Sequence, residues 1–166
     1  LGGGTLRLVY EAGPNSGGRT ENVAGTRVNA GASSLQNTNY ISSGGLTLNL
    51  AAIRRAAGGT LDTATGTPGG AAATFNTTTT NLNGILGGWA TWAGSGWATG
   101  GGNMAAYPTN SYQTNYDSTQ WGAVSNISLN ASPSANLDDI TVYSLRLTPA
   151  STVTMNSSKT LTLSSG

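Results

Sequence analysis

Six carboxylates make up the whole acid inventory of this chain: Glu11, Glu21, Asp62, Asp117, Asp138 and Asp139. The 166 residues include no His and no Cys. General acid–base catalysis near neutral pH draws most often on His, and zinc or thiol chemistry draws on His and Cys. What is left to weigh is hydrolysis or lyase chemistry by a carboxylate pair. Asp138-Asp139 is the only adjacent pair. Neighbouring strand residues project to opposite faces, so these two carboxylates do not converge on one bond. They read instead as a polar corner ahead of a strand that starts at Ile140. Solenoid calcium motifs of the Gly-Gly-x-Gly-x-Asp type are missing, because Gly2-Gly3-Gly4 and Gly100-Gly101-Gly102 lack the aspartate. Neither triplet is a phosphate loop, since no Lys-Ser/Thr follows. No catalytic residue, cofactor or metal is expected, and the chain reads as a non-enzyme.

Binding is the other chemistry to consider. All four tryptophans, Trp89, Trp92, Trp97 and Trp121, fall in one stretch, with Tyr107, Tyr112 and Tyr116 among them. Trp89, Trp92, Trp97, Tyr107 and Trp121 are the candidate aromatics for a contact with sugars or with a neighbouring copy, because aromatic residues anchor interfaces. The competing reading is a local packing cluster that closes a wider insertion. Asn76, Asn126, Asn130 and Asn156 stand in Asn-x-Ser/Thr sequons. Thr77-Thr78-Thr79-Thr80 is a β-prone run suited to an exposed ladder.

Composition narrows the partners. Gly, Thr, Ser and Asn supply 84 of the 166 residues, and charged residues are only 8%, against about 25% in an average domain. The net charge of +1 and scattered arginines exclude a nucleic-acid face. Disorder is disfavoured too, since 37% of the residues are apolar and no charge block exists. No apolar run approaches the roughly 18 residues of a membrane helix. The chain opens at Leu1 without Met or a signal pattern, and a mature or internal piece of a longer secreted protein is expected.

The elements that would position these residues are strands. Alternation of apolar and polar residues runs through 5–10, 46–50, 127–130, 140–143, 145–147 and 161–163. The one helical candidate, Leu50 to Ala57 before Gly58-Gly59, allows a single helical turn or a corner at most. Hairpin turns of the Asn-Gly type are nearly missing, with Asn83-Gly84 the single case. Linkers of small residues suit a coil in which each strand stacks on its equivalent one turn later. The fold expected is all-β: a single-domain parallel β-solenoid over 1–166, with an irregular Trp-rich section near 87–122. The second choice is an antiparallel β-sandwich. With turns of about 20–30 residues, roughly six or seven turns would span about 30 Å at the usual strand spacing.

One phrase recurs. Ser42-Ser43-Gly44-Gly45-Leu46-Thr47-Leu48 is echoed by Ser157-Ser158-Lys159-Thr160-Leu161-Thr162-Leu163. Placed tail to head, Ser164-Ser165-Gly166 and Leu1-Gly2-Gly3-Gly4-Thr5-Leu6-Arg7-Leu8 rebuild it. Copies are therefore expected to follow one another, covalently or by stacking of unpaired strand edges.

Gly59-Thr60-Leu61, the Ser43 to Leu48 phrase and the Lys159 to Gly166 phrase resemble the autotransporter-associated β-strand repeat. Asn83 to Thr91, Gly96-Trp97-Ala98, Ala105-Ala106-Tyr107, Ser125 to Leu129 and Tyr143 to Leu147 resemble large repetitive secreted bacterial surface proteins of that kind. The resemblance covers about half of the chain well and the first third loosely. It implies a right-handed parallel β-helix, export to the cell surface, and roles in adhesion or surface structure, with no catalytic residue to carry over. The outer-membrane barrel of a full autotransporter has no counterpart here, which leaves the export route open. The expected function is thus a structural one: an extracellular filament or cell-surface fibre built by end-to-end stacking, with other copies as partners. An adhesin or carbohydrate-binding module with surface glycans as partner is the alternative.

Overall fold

The computed structural model describes residues 1–11, 17–148 and 151–165. They fall into two compact units, Leu1–Ala106 and Tyr107–Gly166, where the sequence reads as one segment. The fold is an all-β solenoid built from parallel strands.

The first unit winds about three turns. The first turn contributes β1 (Gly4–Tyr10), β2 (Arg19–Asn22) and β3 (Thr26–Val28). The second contributes β4 (Gly31–Asn39), β5 (Leu46–Asn49) and β6 (Ile53–Arg55), and the third β7 (Gly59–Gly66) and β8 (Ala73–Thr77). Each strand pairs in parallel with its equivalent: β1 with β4 and β4 with β7, β2 with β5 and β5 with β8, β3 with β6. Parallel pairing throughout these turns decides for the solenoid over the antiparallel sandwich. Ladder partners one turn apart are separated by 27 to 29 residues.

Register explains why these residues form these strands. Successive side chains point alternately in and out, so each inward position forms a column along the stack. Leu46 and Ala73 share one column, Leu48 and Phe75 another, and all four are buried. Columns of β1, β4 and β7 mix sizes: Gly4 with Ser33 with Leu61, and Leu6 with Leu35 with Thr63. Two inward positions of β4 are asparagines. Asn39 donates from Nδ2 to the carbonyls of Gly44 and Ala72 (both 3.0 Å) and accepts from the Ile41 amide (3.1 Å). Asn37 donates to the carbonyls of Leu46 (3.1 Å) and Thr74 (2.7 Å). These buried amides tie one face of the coil to the next at the corner, which a leucine cannot do.

Outward positions stack like on like. Thr20, Thr47 and Thr74 are in register, and the hydroxyls of the last two are 2.9 Å apart. Asn22, Asn49 and Asn76 form an amide ladder: Asn49 donates to Asn22 (2.6 Å) and Asn76 to Asn49 (2.9 Å). The Thr77–Thr80 run is not the exposed ladder its composition suggests. Thr77 is buried and donates to the Ala51 carbonyl (2.6 Å), while the Thr79 hydroxyl accepts from the Ile53 amide (2.6 Å), so the run bonds the corner beneath it. Of the stretch 50–57 read as a helical turn or a corner, 50–52 lies between strands β5 and β6 with no helix, and Ile53–Arg55 is strand β6, with Ile53 buried and paired with Thr26.

The regular winding stops after β8. Asn83-Gly84 makes a tight turn with φ of 50° and 85°, closing an antiparallel bridge between Leu82 and Ile85. β9 (Ala90–Trp92) still pairs in parallel with β7. β10 (Gly96–Thr99) then folds back antiparallel on β9, and β12 (Ala105–Ala106) on β10, while β11 (Gly102–Asn103) runs antiparallel to β8. Six or seven turns are therefore not reached: the antiparallel strands end the stack at about three.

The second unit is smaller and has its own core of Trp121, Ile127, Leu129, Leu137 and Val142. Its elements are short 3-10 turns at Thr109–Ser111 and Ser118–Gln120, then β13 (Asn126–Leu129), β14 (Ile140–Val142), β15 (Ser144–Leu147) and β16 (Leu161–Leu163). β13 pairs in parallel with β15, and β14 with β16. Asn126 and Ser144, both buried, bond through their side chains at 2.7 Å.

Candidate functional site

The two ends of the first stack differ chemically. β1 lies at the edge of its sheet and β2 at the edge of its own, so the first turn pairs on one side only among the described residues. Leu6 occupies an inward column yet is 53% exposed, while Leu35 in the same column one turn later is 1% exposed. An apolar cleft of about 180 Å³ opens there, lined by Leu1, Leu6, Val23, Leu35, Leu48 and Leu50. This is the solenoid core seen in cross-section. Two charges sit in the same plane. Arg19 and Glu21 occupy the columns of Leu46 and Leu48, and the Arg19 guanidinium lies 5.8 Å from the centre of the Tyr10 ring. Inward-pointing charge on an edge strand discourages further pairing, so β2 is guarded and β1 is not.

The opposite end is covered. Ala90 and Ala98 are fully buried, and Phe75 beneath them is buried against the edge of Trp92, with ring centres 6.4 Å apart. Asp62 fastens this closure: it accepts from the Thr91 hydroxyl (2.6 Å) and the Gly94 amide (2.8 Å).

The candidate aromatics divide between the units. Trp89 and Trp92 pack on the first core, and Trp97 stands opposite Thr91 in the β9–β10 pair, half-buried. Tyr107 and Trp121 belong to the second unit. Tyr107 meets Tyr112 edge-on at 4.9 Å, and Trp121 is buried with its Nε1 donating to the Asn115 carbonyl (2.8 Å). Trp89, Trp92 and Trp97 are thus held by the first unit, and Tyr107 and Trp121 by the second.

The carboxylates hold loops. Asp139 accepts from Lys159 Nζ (3.0 Å) and the Thr160 amide (2.8 Å), and Asp138 accepts from Asn156 Nδ2 (3.1 Å). All three bonds join the start of β14 to the segment before β16. The Lys159 contact and the Thr160 amide hold the Asp139 carboxyl below its ordinary range, and Asp139 raises Lys159 in return. Asp117 is lowered by the hydroxyl and amide of Thr119, which it caps. Asp117, Asp138 and Asp139 border one hollow of about 370 Å³, but among the described residues no three metal-ligating side chains come together. Of the sequon asparagines, Asn126 is buried and Asn76 is bound in the ladder. No described helix is long and apolar enough to cross a membrane.

The signal that sequence reading missed is the contrast between β1 and β2. Thr5-Leu6-Arg7-Leu8 and Arg19-Thr20-Glu21-Asn22 are equivalent first-turn strands, yet one carries leucines and the other charges in the core columns. Comparison with family models, curated proteins and solved structures finds no match to this chain.

Proposed function

We propose that this chain is a non-catalytic structural module of an extracellular filament or cell-surface fibre, and that it extends by stacking of solenoid ends. The open first turn carries the reading: an inward leucine left half exposed and a cleft into the core, at one end of a stack whose other end is closed. Exposed apolar core on an unpaired strand edge is a template for another strand. The low charge weakens repulsion between copies, and the resemblance to secreted autotransporter-type repeats agrees with a surface location. The carboxylates bound to loop amides and Lys159 favour a scaffold role over catalysis. Electron microscopy of the purified chain over a concentration series tests this. Fibres that lengthen with concentration are expected, and isolated short particles at every concentration would refute it.

An adhesive or glycan-binding role is the second reading, favoured by Trp97, which keeps part of its ring at the surface beside Thr91. Trp97→Ala abolishes glycan retention if that reading holds, and leaves fibre length unchanged.

A further inference from the structure

We propose that β1 is the docking edge for strand β16 of a second copy, paired in parallel with Leu161 on Leu6 and Leu163 on Leu8. The proposal rests on the stacking reading above and names its junction. Four observations carry it. Among the described residues both strands are sheet edges, β1 beside β4 and β16 beside β14. Their polarity matches, since among the described residues β1 pairs only with the strand one turn later, β4, and β16 only with the strand one turn earlier, β14, as successive turns of one parallel stack require. Their core sides match as well. Leu161 and Leu163 share columns with Ile140 and Val142, and Leu6 and Leu8 share columns with Leu35 and Asn37. Both edges leave core leucines open, Leu163 at 49% and Leu6 at 53%. This register puts all four leucines on one face and stacks Thr160 on Thr5, whereas a slip of one residue sets threonine against leucine. It also continues the like-on-like habit of the threonine and asparagine ladders.

Charge selects β16 over the other free edge of the second unit. Ser144-Leu145-Arg146-Leu147 of β15 has the same alternation, but aligning its leucines places Arg146 on Arg7, and like charges directly opposite destabilise a pair. β16 offers Thr162 there. On the receiving side β2 is excluded, because a strand laid over it would bury Arg19 and Glu21 against leucines. The contact joins two different surfaces, so it is heterologous and repeats from copy to copy.

Two blocked variants test the junction. Leu6→Lys disables the receiving edge and Leu163→Lys the donating edge. Measured by light scattering after size exclusion, wild type elongates and each variant alone keeps the mass of one chain. An equimolar mixture doubles that mass and stops, because one intact β16 meets one intact β1. Dimer in the mixture also shows that both variants fold. If Leu163→Lys alone elongates as wild type does, the donor is not β16, and the stacking reading survives without this junction. If wild type itself never elongates, both fall. A milder change checks the charge argument without touching the core: Thr162→Arg slows elongation roughly three- to fivefold, and adding Arg7→Glu restores it. No slowing, or no rescue, would overturn the assigned register.

Discussion

The first and last strands of the first unit meet the same problem with opposite solutions. At the far end, β10, β11 and β12 turn back antiparallel and roof the core, so Ala90 and Ala98 are inaccessible. At the near end nothing among the described residues roofs β1, and protection is limited to two charges on β2. A roof ends growth whatever approaches it, whereas a charge guards only the columns it occupies. The difference leaves uncovered core columns, among the described residues, at one end of this stack only.

The largest test of this contrast compares Phe75→Ala with Leu6→Ala by urea unfolding. Phe75 is fully buried under the roof, and its loss is expected to cost about 3–5 kcal/mol. Leu6 is half exposed, and its loss in the isolated chain is expected to cost about 1 kcal/mol or less. Equal costs would mean that the first turn is covered after all. Glycines sharpen the same point at smaller scale. A Cβ at Gly100 would lie 2.7 Å from the Thr79 carbonyl oxygen and 2.5 Å from Leu86 Cδ2, whereas at Gly25 the nearest neighbour is the Ala52 oxygen at 3.8 Å. Gly100→Ala should lower stability by about 1–3 kcal/mol, and Gly25→Ala should change it by less than about 0.5 kcal/mol, both read from thermal melts.

The smallest effect concerns pH. Asp139 has a lowered folded pKa, so its contribution is present above its unfolded value of about 3.9 and is lost as pH falls through the folded value. Lys159 has a raised folded pKa, so its contribution is complete below about 10.4 and is lost as pH rises through the folded value. Both groups are solvent-exposed and the effect is local. In amide exchange corrected for intrinsic rates, the Thr160 amide loses protection in acid while the β1–β4 ladder keeps its own. Asp139→Asn reproduces that loss at neutral pH. A matching acid loss in β1 would show that the ends of the first stack also depend on carboxylates.

Strand positions were legible wherever leucine or isoleucine alternates with polar residues. The six alternating stretches correspond to β1, β5, β13, β14, β15 and β16. β4 was harder to read, because its core columns hold Ser33, Asn37 and Asn39, whose burial depends on hydrogen bonds to the facing sheet and leaves no apolar period. The roof was illegible for a similar reason. Its turn uses Ala93 and Gly94 at positive φ, 50° and 65°, in place of the Asn-Gly signature seen at Asn83-Gly84. The division into two units follows a shortening of the turn, with Asn126 paired to Ser144 and Leu137 bridged to Met155, that composition does not record.

The asparagine ladder has a mechanical consequence. Its links, like the backbone bonds beside them, run between turns, so a pull that separates the turns loads them one level at a time. Each level that yields releases a loop of 27 residues. Its contour is roughly 90 Å at full extension. A strand of such modules under tension would lengthen in discrete steps at modest force, absorbing work as it extends.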